Sequence, residues 1–341
     1  MMKYMRTLVC TRPGEFAYMD TSMPLLERGY TLLKVNKIGI CGTDLHAFEG
    51  TQPYFTYPRI LGHELAAEIV EPGDAVDFVR GEKLTFIPYF HCGICIACRN
   101  GKQNCCSSIQ VAGVHIDGGM REYISVPSYS LVHGAGLSDE ELALVEPLAI
   151  GAHGIRRAGV RAGEFVLVMG AGPIGLGTME FAKIAGAKVI AMDINDTRLA
   201  FCMEKGIASY TINPLLENGI EKLRDITAGD MPTVVIDATG SLQAINNGFQ
   251  YIAHGGRYVL IGLQKGDISI HHPEFHKREA TLMSSRNAGR TDFEQVIANM
   301  KTGLIQPANY ITHRVNFAEV KDQFASWLLP ENGVIKAMVA M

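Results

Sequence analysis

Three residues that zinc accepts as ligands stand close together early in the chain. Cys41 opens Cys41-Gly-Thr-Asp-Leu-His46, and His63 and Glu64 close Gly62-His63-Glu64. They offer a thiolate, an imidazole and a carboxylate. A mixed set of three protein ligands with a fourth position open suits a catalytic zinc better than a structural one. Taken alone the grouping is weak, because a single His is usually a polar residue satisfied within the fold. A second cluster is more specific. Cys92-Gly-Ile-Cys95-Ile-Ala-Cys98, followed by the pair Cys105-Cys106, gathers thiols in one short loop. Two successive Cys-x-x-Cys steps let three sulfurs converge with little strain, and either member of the pair could complete a tetrahedron. An all-Cys, closed site is the structural zinc type. An iron–sulfur cluster also takes four cysteines, but nothing nearby suggests electron transfer. Cys10 and Cys202 stand alone and read as inert, buried thiols.

The third constellation is Gly170-Ala-Gly172-Pro173-Ile174-Gly175, directly after the apolar run Phe165-Val-Leu-Val-Met169. A lone Gly-x-Gly-x-x-Gly is weak. Here a strand precedes it, a helix follows, and Asp193 ends the next strand about 20 residues on, as the dinucleotide fingerprint requires. The glycines permit a tight turn and close approach of a pyrophosphate to the helix N-terminus. A carboxylate at Asp193 bonds the adenosine ribose hydroxyls and repels a 2'-phosphate, which favours NAD over NADP. Arg198 stands near the expected adenine side or on a solvated helix face. This site gives the metal a reaction to assist. Oxidising an alcohol with NAD removes a hydride and a proton, and zinc both acidifies bound oxygen and polarises a carbonyl. Glu146-Pro147, at the junction of the two halves, could add a further carboxylate.

The elements that must position these residues fall into two textures. At 341 residues, with 47% hydrophobic and 19% charged, the chain reads as globular with two domains. Residues 1 to about 90 read as short strands separated by Gly and Pro, without the 3.6-residue period of long helices. Ser138-Asp-Glu-Glu marks a helix start. From about residue 150, strand and helix alternate: Phe165–Met169, a helix from Ile174 to Ala185 capped by Gly186, Lys188–Asp193, Val234-Val-Ile-Asp-Ala, a helix near Ser241, and Arg257-Tyr-Val-Leu-Ile-Gly. This rhythm implies a doubly wound parallel sheet. It stops near residue 286. Helices over Thr291–Met300 and Phe317–Leu328 and a strand at Val334-Ile-Lys-Ala-Met-Val are expected to fold back on the first domain. The resulting division is residues 1–149 with 287–341, and residues 150–286.

The net charge of -4 and the lack of a Lys/Arg-rich run argue against nucleic acid as a partner. No apolar run reaches the roughly 18 residues of a membrane span, and Met1-Met-Lys-Tyr-Met-Arg does not resemble a signal peptide. A cytoplasmic location is expected, where clustered cysteines read as metal ligands rather than disulfides.

With these motifs in place, the whole chain resembles the zinc-containing medium-chain dehydrogenase/reductase family. The family pattern G-H-E-x-x-G-x-x-x-x-x-G-x-x-V appears as Gly62-His63-Glu64, Gly73 and Val76, with Ala67 where glycine is usual. The resemblance implies a GroES-like catalytic domain interrupted by a Rossmann domain of strand order 3-2-1-4-5-6. It selects Cys106 over Cys105 as the fourth ligand of a structural zinc with Cys92, Cys95 and Cys98. It implies a catalytic zinc on Cys41 and His63, with Glu64 and Glu146 binding or exchanging there. Glu rather than Cys at 146 indicates the polyol and threonine dehydrogenase branch. Thr43 matches the hydroxyl that takes the substrate proton, His46 the relay beyond it, and Lys336 a basic position near the cofactor phosphates. Members are usually homodimers or homotetramers. Gly113-Val-His-Ile-Asp-Gly-Gly119, Pro273-Glu-Phe-His-Lys277, Ser284-Ser-Arg286-Asn-Ala and Ile311-Thr-His313-Arg look most like the bacterial L-galactonate/L-gulonate 5-dehydrogenases. Such a substrate carries a carboxylate that needs a guanidinium partner, and Arg286 is the expected one.

Overall fold

The computed structural model describes residues 4–52 and 55–341 and divides into two compact units. One comprises residues 1–147 and 289–341, the other residues 148–288. The boundaries fall two residues from those expected. Helix Val145–Ala158 itself runs across the first, so no change of texture marks it.

In the first unit the residues of the metal set stand at the ends of neighbouring strands. A seven-stranded sheet runs Ile311–Asn316, Lys336–Ala340, Tyr30–Gly39, Glu64–Glu71, Lys83–Phe86 and Leu131–His133, with Tyr123–Pro127 also paired to Tyr30–Gly39. Gly39 pairs with Glu64 on one side and with Met338 on the other. Cys41 therefore follows the end of the central strand, while Glu64 and Lys336 begin the strands flanking it. Gly39 has to be glycine there, because a Cβ would lie 2.2 Å from Glu64 Oε2.

Directly after Cys41 the chain winds into helix Gly42–Glu49, in a region expected to be helix-poor. It is about two turns long, too short for sequence periodicity to reveal, and it is held by tertiary packing. Phe48 stacks on Phe16 at 5.1 Å between ring centroids and meets Phe324 at 5.2 Å. Burying such a side chain contributes about 1.5–3 kcal/mol. Phe317, Val320, Phe324 and Trp327 are buried, but the segment Phe317–Leu328 is not the single helix expected. It divides into 3-10 turns at Phe317–Glu319 and Phe324–Leu328 around a single α-turn, Val320–Gln323. Three residues per turn stack positions i and i+3, and Phe324 and Trp327 meet in that way at 5.3 Å.

The second unit is a six-stranded parallel sheet in the order Tyr210–Ile212, Lys188–Met192, Phe165–Met169, Val234–Asp237, Arg257–Leu260 and Thr281–Ser284. Numbered along the chain, that is 3-2-1-4-5-6, the order of a dinucleotide-binding sheet. Inner strands such as Phe165–Met169 and Val234–Asp237 are almost wholly apolar because both faces are covered, whereas the edge strand Thr281–Ser284 is largely exposed. Cys10 and Cys202 are fully buried, and burial pushes both thiols up to about 12, which keeps them inert.

Candidate metal centre and cofactor loop

Cys41 caps the N-terminus of helix Gly42–Glu49, His63 lies in the turn before strand Glu64–Glu71, and one side chain joins the two segments. Asp44, only 1% exposed, accepts the Cys41 N–H on one carboxylate oxygen (3.0 Å) and the Gly62 N–H on the other (3.1 Å). The same oxygen that holds Gly62 lies 3.9 Å from His63 Nδ1. Gly62 adopts φ +92°, a conformation that suits glycine, and Gly118 packs against it so closely that a Cβ would lie 2.3 Å from the Gly62 carbonyl. The segment Gly113–Gly119 thus braces the turn that presents His63.

Ligand atoms of Cys41, His63 and Glu64 all lie within 4.8 Å of one another. Glu146, in the first turn of helix Val145–Ala158, is buried outside that set and accepts a hydrogen bond from the hydroxyl of buried Tyr89. Burial, reinforced by Glu64, pushes the Glu146 carboxyl up to about 7, against the pull of His63. Burial alone would hold His63 low, but Cys41, Asp44 and Glu146 outweigh it and raise the imidazole well above its ordinary value.

Lys336 departs from its expected role. Its buried ammonium donates to both oxygens of Glu64 at 2.7 Å and to the Ile40 carbonyl at 3.1 Å. An ammonium has three N–H groups, so all three are engaged and none remains for a cofactor phosphate. Lys336 is the internal counter-ion of Glu64.

The donor chemistry fits a divalent cation. Cys41, Asp44, Glu64 and Glu146 supply four acidic groups around a single permanent cation, Lys336, in a site almost closed to water. Buried charge of one sign is costly unless balanced. His63 Nδ1 is also buried, with no hydrogen-bond partner among the described residues. Zinc accepts sulfur, nitrogen and oxygen in such a set.

The thiols of the second cluster come together in one group. Sulfurs of Cys92, Cys95, Cys98 and Cys106 lie within 4.8 Å of one another, and Cys105 is exposed outside the group. Cys95 and Cys98 sulfurs are 3.4 Å apart and those of Cys92 and Cys106 3.5 Å. Four Zn–S bonds of about 2.3 Å in a tetrahedron require roughly 3.8 Å. Backbone N–H groups of Cys92 and Ser108 point at the Cys106 sulfur. Backbone hydrogen bonds from Ser107 and Cys98 bring the Cys95 thiol down to about 5, while burial and the neighbouring sulfurs push Cys98 up to about 12. Only a cation would let all four lose their protons together.

In the second unit, Gly170 takes φ +98°, Gly172 caps helix Pro173–Ile184, and Pro173 occupies its first position. A Cβ on Gly175 would lie 1.8 Å from the Gly170 carbonyl, so this turn closes only with glycine there. A Cβ on Gly172 would find only Arg198 Nη1, at 4.0 Å, outside the local chain. The loop is open at Gly172, beside a guanidinium, as a pyrophosphate site requires. Asp193 accepts the Ala171 N–H at 2.6 Å and the Asn195 N–H at 2.8 Å, which ties the glycine turn to the end of the second strand. A carboxylate has further lone pairs for a ribose.

Thr43 is half-buried in the first turn of helix Gly42–Glu49. His46 is exposed one turn later, its Nδ1 near Glu49 Oε2 (3.3 Å) and the Thr51 hydroxyl (3.2 Å). Arg286 is exposed just beyond strand Thr281–Ser284, in the unit that does not contain the metal set. Sequence reasoning missed Asp44 and Tyr89. Asp44 carried a signal, an acidic residue three positions after a helix N-cap. Tyr89 carried none.

Residues 27–136 match the alcohol dehydrogenase GroES-like domain, and residues 173–302 match the zinc-binding dehydrogenase domain. The chain belongs to the zinc-containing medium-chain dehydrogenase/reductase family and is an oxidoreductase of the zinc alcohol dehydrogenase type. It is 41% identical to an L-galactonate-5-dehydrogenase of Escherichia coli K12, over 99% of both chains. Among solved structures, it is similar to an Escherichia coli CFT073 protein described as a short chain alcohol dehydrogenase (rspB), complexed with NADH. That similarity has TM-score 0.93 and 29% identity over 100% of both chains. A zinc-binding dehydrogenase from Sinorhizobium meliloti 1021 bound to NADP gives TM-score 0.92 and 28% identity, also over 100% of both chains. No helix among the described residues is long and apolar enough to cross a membrane.

Proposed function

We propose that the protein oxidises a secondary hydroxyl of a sugar acid of the L-galactonate/L-gulonate type to a keto-hexonate, using NAD+ as hydride acceptor. The observation that carries this reading is the 41% identity to an L-galactonate-5-dehydrogenase over 99% of both chains. Zinc, when bound by Cys41, His63 and a carboxylate, supplies Lewis acidity toward the substrate oxygen. The chain's own residues do the rest. Thr43 takes the substrate hydroxyl proton as it releases its own, and exposed His46 passes the released proton to solvent. Lys336 neutralises Glu64, so that Glu146 is the carboxylate free to exchange. The glycine turn and Arg198 hold the pyrophosphate, and the Asp193 carboxylate selects NAD over NADP. Arg286 pairs with the substrate carboxylate.

The test is a screen of NAD+ and NADP+ reduction by the zinc-replete protein with hexonates, hexitols and L-threonine. L-Galactonate or L-gulonate with NAD+ should give the highest kcat/KM. Arg286→Ala should raise KM for the hexonate by 10- to 100-fold, the worth of a charge-assisted hydrogen bond of about 1.5–3 kcal/mol, with little change for a hexitol. Reduction by hexitols or L-threonine alone would make the protein a neutral polyol or threonine dehydrogenase. Reduction by none would leave a zinc- and nucleotide-binding protein without catalysis.

A further inference from the structure

The two carboxylates beside Cys41 and His63 are held in different ways. Glu64 is fully buried with both oxygens on the Lys336 ammonium at 2.7 Å, an ion pair that cancels its charge locally. Among the described residues, no cation is a hydrogen-bond partner of Glu146. Its hydrogen bond comes from the neutral hydroxyl of Tyr89, which reaches a single oxygen, Oε1. Tyr89 lies on the short strand Tyr89–Phe90, immediately before the four-Cys loop, and is only 4% exposed. Packing alone would be served by phenylalanine. A buried phenol group costs free energy unless its O–H is bonded, and among the described residues this one is bonded to Glu146.

We propose that Tyr89 is a positioning residue for Glu146. Its hydroxyl fixes one carboxylate oxygen and turns the other toward the metal set, while leaving the carboxylate its charge. A lysine in the same place would neutralise Glu146, as Lys336 does Glu64. The site thus holds one carboxylate with an ionic partner and one with a neutral partner, and the second is the one suited to bind and release a cation. Groups that orient a metal ligand in this way are worth about 10- to 100-fold in metal affinity. This role rests on the metal centre at Cys41 and His63, and it is independent of the substrate.

The test is zinc affinity of the full-length protein, measured by chelator competition with total zinc counted by elemental analysis. The four-Cys loop serves as an internal reference, and a thermal melt checks that each variant is folded. Tyr89→Phe keeps the ring and removes only the hydroxyl. It should weaken one of the two zincs by 10- to 100-fold and leave the other unchanged. In a Glu146→Gln background the same substitution should add less than twofold, because the partner it positions is already altered. Parent-like zinc affinity in Tyr89→Phe would overturn the proposal. So would losses that multiply in the double variant, since Tyr89 would then act through another group. A parent protein that holds zinc only in the four-Cys loop would overturn the metal centre itself, and this role with it.

Discussion

Asp44→Asn exchanges one oxygen for an NH2 group without changing the size of the side chain, and its consequences follow from two hydrogen bonds. Each Asp44 oxygen accepts one backbone N–H, from Cys41 at 3.0 Å and from Gly62 at 3.1 Å. Burial pushes this carboxyl upward, with His63 and the two amides working against it. Asparagine has a single acceptor oxygen, so one amide would face an NH2 and lose its partner. Leaving one buried donor unsatisfied costs about 1–3 kcal/mol, a large part of a typical total stability of about 5–15 kcal/mol. The loss falls on the link between Cys41 and the residue before His63, so the spacing of two metal ligands should loosen with it. Zinc affinity at that site should drop by about 10- to 100-fold. Urea titration of zinc-loaded and zinc-stripped protein, with chelator competition, reads both effects. A variant with the parent's urea midpoint and the parent's zinc affinity would refute the link, because Asp44 would then hold neither ligand in place.

Cys106→Ser should remove one zinc per chain, whereas Cys105→Ser should keep both, because only the Cys106 sulfur meets the other three. Elemental analysis checks this, and equal losses in the two variants would contradict the ligand set. The metal-free protein should also show a pH signature from Glu146, whose carboxyl is pushed from an ordinary 4.5 up to about 7 by burial and Glu64. The folded state then binds that proton more tightly than the unfolded state does. The contribution is present below the unfolded pKa and is lost as pH rises from about 4.5 to about 7. Glu146→Gln should flatten that part of the stability curve, followed by urea midpoints across the range; an unchanged slope would rule out Glu146 as its source.

The alternation from Phe165 onward was legible because a parallel sheet buried on both faces needs continuous apolar strands, and because a glycine turn before a helix leaves a pattern at fixed spacing. The four-Cys loop was legible for a similar reason. Its ligands are close in sequence, so local chain geometry alone brings three sulfurs together. The short helix after Cys41 was not legible, since its stability comes from Phe48 packing on Phe16 and Phe324, residues distant in the chain. The break of Phe317–Leu328 into 3-10 turns was hidden too, because burial at spacings of three and four fits either winding.

For the metal centre, the order of residues along the chain sets the ligand chemistry: which thiol, imidazole and carboxylates are present. How they are partnered follows from the folded arrangement. Lys336 stands 272 positions from Glu64, and Tyr89 57 positions from Glu146. Sheet pairing places Lys336 and Glu64 on the two strands that flank Tyr30–Gly39, and there the ammonium becomes an ion-pair partner rather than a phosphate ligand. A residue type states what a side chain can do. Which of those things it does depends on the partner that burial leaves within reach, and across such separations that partner is chosen by the fold.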